Sequence, residues 1–60
     1  MKPEELKRHR EALEMTQDDL ARELGVKMMT VSRWERGVYP IPRHIALALE
    51  AIEMKRRVAA

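Results

Sequence analysis

Lys27, Met28, Met29, Ser32, Arg33 and Arg36 lie in one short stretch and offer cations, a hydroxyl and two flexible thioethers, with no carboxylate among them. On a helix, at about 100° per residue, Met28, Met29, Ser32, Arg33 and Arg36 gather on one side. Thr30, Val31 and Trp34 take the opposite side, and Glu35 sits at the border. The second set can pack inward. The first makes an exposed basic face free of acids, which suits a phosphate-lined groove. Arg33 carries the planar fork that can read guanine O6 and N7 together, whereas methionine can touch thymine methyl groups but cannot pair with a base edge. Base recognition is the chemistry this stretch suggests.

Other chemistries find little support. There is no cysteine, which removes disulfides and Cys-based zinc sites, and His9 and His44 lie too far apart in sequence for a usual metal-ligand spacing. Asp18 and Asp19 resemble a catalytic carboxylate pair only superficially. Adjacent residues on a helix do not face each other, and acids in a first turn have an ordinary role against the helix dipole. No Gly-rich phosphate loop is present and neither histidine has an evident catalytic partner, so no enzyme, metal or cofactor is expected. No run of apolar residues is long enough to span a membrane.

The 60 residues make one small domain, and helix-forming Glu, Lys and Arg dominate a sequence without Phe, so an all-α fold is expected. A chain this short buries only about 60% of its unfolded surface, which leaves a marginal core that dimerisation would support. The net charge of +2 says little by itself, but its distribution says more. Residues 25–44 carry Lys27, Arg33, Arg36 and Arg43 against Glu35 alone, while residues 16–24 carry one cation against three acids.

The elements that must position the basic face are set by periodicity. Leu20, Ala21 and Leu24 mark one face of a helix over residues 17–24, capped by Thr16 with Asp19 in a capping-box arrangement. Gly25 can end it sharply by taking positive φ. Val26 restarts the apolar pattern, and a second helix over about residues 28–36 closes at Gly37. Two short helices over a Gly-containing turn make a helix-turn-helix, whose second helix enters the major groove in DNA-binding versions.

A first helix over about residues 3–14 should begin at Pro3 with Glu4 and Glu5 in its first turn, and bury Leu6 and Leu13. Arg10 falls between them on the apolar stripe and needs a carboxylate partner, for which Glu35 is the candidate. After VYPIP, held extended by Pro40 and Pro42, a last helix should run over about residues 42–56. Ile45, Ala48, Leu49 and Ile52 give it one apolar stripe. Leu47, Ala51, Met54 and Val58 give it another, roughly opposite. A small domain has one core to offer, so the second stripe is expected to meet a second copy of the chain. Lys55, Arg56 and Arg57 fall at the negative end of this helix.

The run MTQDDLARELGVKMMTVSRWERG, followed by PIPRHIALALEAIE, closely resembles the Xre-type helix-turn-helix family of phage repressor and Cro-like proteins and their bacterial relatives. Thr16-Gln17, Leu20-Ala21, Leu24-Gly25-Val26, Val31-Ser32, Trp34-Glu35 and Gly37 carry the resemblance. It implies a compact lambda-repressor-like bundle of four or five helices that binds double-stranded DNA as a homodimer on a pseudo-palindromic operator. By position it places Gln17, Arg36 and Arg43 at phosphates and Lys27, Met28, Met29, Ser32 and Arg33 at the bases. It also implies the Arg10–Glu35 ion pair. The sequence departs from the family at Lys27, where Ser or Thr often caps the recognition helix, and at Met28 and Met29, where polar residues are usual. The expectation is a small cytoplasmic regulator of a bacterium or phage-infected cell, most simply an autorepressor with no small-molecule ligand. The alternatives are an antitoxin, or a protein-interaction module that kept the fold without binding DNA.

Overall fold

The computed structural model describes residues 1–59, with side chains through Arg57. Among them the fold is all-α: α1 (Pro3–Ala12), α2 (Gln17–Leu24), α3 (Met28–Glu35) and α4 (Arg43–Ala59). α3 packs against both α2 and α1. The core is Leu6, Leu13, Met15, Leu20, Ala21, Val31, Trp34, Ile45 and Leu49, with Leu24, Val26, Ile41 and Ile52 packed on its edge. Every helix therefore sends side chains to one centre. The small Ala21 lies fully within it, where α2 meets α3.

Three helices end in the same hydrogen-bonded turn. At the end of α2, the Val26 N–H donates to Ala21 O at 2.9 Å and the Gly25 N–H to Arg22 O at 3.3 Å, with Gly25 at φ 72°. At the end of α3, the Val38 N–H donates to Arg33 O at 2.9 Å and the Gly37 N–H to Trp34 O at 3.2 Å, with Gly37 at φ 75°. These are Schellman turns, in which a left-handed residue lets the chain double back and satisfy the last carbonyls. α1 ends likewise on Glu14, at φ 57°, with the Met15 N–H on Arg10 O at 3.2 Å. A side chain at that φ costs roughly 1–2 kcal/mol, and the gain is that the turn drops Met15 into the core.

Helix limits differ from the expected ones. α1 stops at Ala12, short of residue 14, because the left-handed Glu14 ends it. Arg36 is the C-cap of α3 and not its last residue. α4 starts at Arg43, one residue after Pro42, and continues to Ala59, beyond the expected residue 56. Its end is tied back to α1: Arg56 Nη1 donates to Leu13 O at 2.7 Å, and His9 Nδ1 lies 2.6 Å from Glu53 Oε1. Arg56 thus bonds a carbonyl of the α1 turn in addition to sitting at the negative end of α4.

Candidate nucleic-acid interface

The inward side of α3 is anchored first by packing and then by charge. Val31 and Trp34 are buried, and Glu35, with 5% of its side chain exposed, meets Arg10 from α1. Arg10 Nε donates to Glu35 Oε2 at 2.7 Å, Nη2 to Glu35 Oε1 at 3.1 Å, and Nη1 to Met15 O at 2.9 Å. The Glu35 hydrogen bonds hold the Arg10 pKa above its ordinary value against the opposing effect of burial. Gln17 Nε2 adds a third hydrogen bond to the same carboxylate at 3.2 Å. One amide hydrogen of Gln17 is therefore spent inside the protein, and its second remains for another acceptor.

With that face fixed, the opposite one must look outward. Met28 and Met29 are exposed, as is Arg36; Ser32 and Arg33 are half-buried. Lys27 is the N-cap of α3 with extended backbone, and its side chain accepts no hydrogen bond from the first turn. The positive helix end there is left uncompensated, with no acid in its first turn. α4 repeats the pattern, beginning on the exposed Arg43 with no acid in its first turn. Among the described residues, Lys27, Arg33, Arg36 and Arg43 form no ion pair; the ion pairs there are Arg10–Glu35 and Arg22–Asp18, beside the His9–Glu53 hydrogen bond.

Arg33 has softer neighbours. Its Cζ lies 5.6 Å from the centre of the Tyr39 ring, and its Nη2 lies 3.9 Å from Met29 Sδ. Cations left without carboxylates, on a helix whose inner face is locked, can bind a polyanion at a fixed angle. A family model for helix-turn-helix domains matches residues 6–52. The chain belongs to this family, the Xre-like Cro/C1-type helix-turn-helix domains. No curated protein and no solved structure gives a significant match. Membership makes this a helix-turn-helix domain of a DNA-binding regulatory family, with α2 and α3 as its two defining helices.

The second stripe of α4 lies on the surface. Leu47 is 64% exposed and Met54 67%, and Ala51 is exposed between them; the Val58 side chain lies outside the described residues. Ile45 and Leu49 of the first stripe are buried. No helix of the described residues is long and apolar enough to cross a membrane. No sequence spacing announces the place of Tyr39 over Arg33, because it depends on the turn at Gly37 reversing the chain.

Proposed function

We propose that this helix-turn-helix domain is a sequence-specific regulator of transcription, most simply a small dimeric repressor that reads an inverted-repeat operator through the major groove. The observation that carries the proposal is the outward face of α3, free of acids and flanked by Lys27 at the N-cap of α3 and Arg43 at the first residue of α4. In this reading Lys27, Met28, Met29, Ser32 and Arg33 face the bases. Arg36, Arg43 and the second amide hydrogen of Gln17 hold phosphates. Leu47, Ala51, Met54 and Val58 meet their copies across the dimer axis. The exposure of Leu47 and Met54 supports that interface.

Selection from a random DNA library with the purified protein, followed by a salt titration on the recovered sequence, tests the proposal. The expected outcome is an inverted repeat bound with a steep loss of affinity as salt rises, its half-site spacing fixed by the dimer. Enrichment of no sequence, with weak binding that vanishes in salt, would leave a generic basic surface and overturn it.

A further inference from the structure

The third Schellman turn differs from the other two in where it sends the chain. After α1 it delivers Met15 to the core, and after α2 it delivers Val26 to the core's edge. After α3 it delivers Val38 and Tyr39 to the surface, 54% and 51% exposed. The turn at Gly37 folds the segment back alongside α3, and Pro40 and Pro42 limit the backbone freedom of the connection to α4. The Tyr39 ring consequently lies over the Arg33 guanidinium on one side of it, while Met29, one helical turn earlier, brings its sulfur to the same group.

We propose that Tyr39 is a positioning residue for base recognition: its ring holds the Arg33 guanidinium in a restricted set of orientations before DNA arrives. The inference rests on the reading of α3 as the recognition helix. An aromatic face attracts a cation without occupying its N–H donors, and the weak bond from Nη2 to the Met29 sulfur leaves the other donors of the fork available for a base edge. A carboxylate in the same place would fix Arg33 equally well but would spend those donors and repel phosphates. Restricting a flexible arginine in advance reduces the ordering needed on binding. The benefit falls on the sequence-specific contact, because phosphate attraction tolerates many arginine orientations.

The test uses wild type, Tyr39→Phe, Tyr39→Ala, Arg33→Ala and the Arg33→Ala/Tyr39→Ala double variant. Each is titrated against the selected operator, against the operator with single guanines replaced by adenine, and against a random duplex. The guanine assigned to Arg33 is the one at which Arg33→Ala abolishes discrimination. Tyr39→Ala should reduce discrimination at that guanine about two- to fivefold, the value of an exposed cation–π contact. It should leave random-duplex affinity unchanged, have no further effect in the Arg33→Ala background, and be rescued by Tyr39→Phe. In the free protein, the upfield ring-current shift of the Arg33 side-chain resonances should survive in Tyr39→Phe and vanish in Tyr39→Ala.

Equal weakening of all duplexes by Tyr39→Ala, persisting without Arg33, would assign Tyr39 a contact of its own and overturn the proposal. So would a silent Tyr39→Ala beside an effective Arg33→Ala. An Arg33→Ala variant that keeps full discrimination would overturn the base-reading assignment itself, and the positioning role with it.

Discussion

The two halves of this domain treat their helix N-termini in opposite ways. α1 opens with Glu4 and Glu5 and α2 with Asp18 and Asp19, so the positive end of each dipole is met by the chain's own acids. α2 is also closed by reciprocal hydrogen bonds between Thr16 and Asp19. α3 and α4 have no acid in their first turns, so Lys27 and Arg43 at their starts, unlike Lys2 at the N-cap of α1, have no first-turn acid to offset them. A cation at a helix N-terminus costs roughly 0.3–1 kcal/mol, so folding alone gives no reason for this choice at two neighbouring helices. An external anion would offset it. The half that is matched internally serves stability, and the half left unmatched supports the proposed DNA contact.

The largest expected effect concerns Glu35, the one acid of residues 25–44, which faces inward. Glu35→Ala would leave the Arg10 guanidinium with only the Met15 carbonyl and remove the partner of Gln17. Removing the charged acceptor of this part-buried pair costs about 1.5–3 kcal/mol, a large share of the stability of a domain at the lower end of the usual range, about 5 kcal/mol. Urea denaturation followed by circular dichroism should find the variant unfolding at much lower denaturant than the wild type. A melting curve like that of the wild type would show that Arg10 finds water instead and that the inner face of α3 is held by packing alone.

Lys27→Asp sharpens the comparison because its two effects should have opposite signs. Aspartate supplies the missing N-cap acceptor and an acid beside the dipole, which should stabilise the free protein by about 1 kcal/mol. That corresponds to a rise in melting temperature of about 4–8 °C for a domain of this size. The same change places a negative charge beside the groove, so operator affinity should fall and the slope of log affinity against log salt should shrink by about one counterion. Higher stability with unchanged DNA affinity would show that the unmatched N-terminus of α3 has nothing to do with DNA.

Arg43→Ala is the milder version on α4. Phosphate attraction is indifferent to sequence, so the expected result is a weakening of operator and random duplex alike, with a salt slope lower by about one. A loss confined to the operator would move Arg43 from the phosphates to a base edge.

The sequence exposes these contrasts unevenly. The α3 faces are legible because burial follows the 3.6-residue period, and the Thr16–Asp19 cap because both partners lie within one turn. Arg10 is conspicuous because a cation on an apolar stripe requires an acceptor. Glu14 gives no such signal: an ordinary helix former occupies a left-handed position, so α1 ends early and Met15, in the connection to α2, is buried in the core. The Arg56–Leu13 and His9–Glu53 contacts join residues more than forty positions apart, and no local pattern announces them. Tyr39 belongs to the same class, since the packing of its ring on Arg33 is set by the turn at Gly37 and not by any helical spacing.

The smallest effect tests the matched half through pH. The Asp19 carboxylate accepts the Thr16 N–H at 2.9 Å, and the Asp19 N–H donates to Thr16 Oγ1 at 3.0 Å. The backbone bond from Thr16, and then the Thr16 side chain, hold the Asp19 pKa below the ordinary carboxylate value. A pKa depressed by folding means that the charged form stabilises the native state. The contribution is present above the unfolded value and is lost as pH falls through the folded one. Asp19→Asn should therefore be less stable than wild type near neutrality, and the difference should close as the solution is acidified past both values. A difference that persisted with Asp19 protonated would assign the loss to side-chain fit and not to charge. The contrast between the two halves would then rest on the acid-free starts of α3 and α4 and not on the cap of α2.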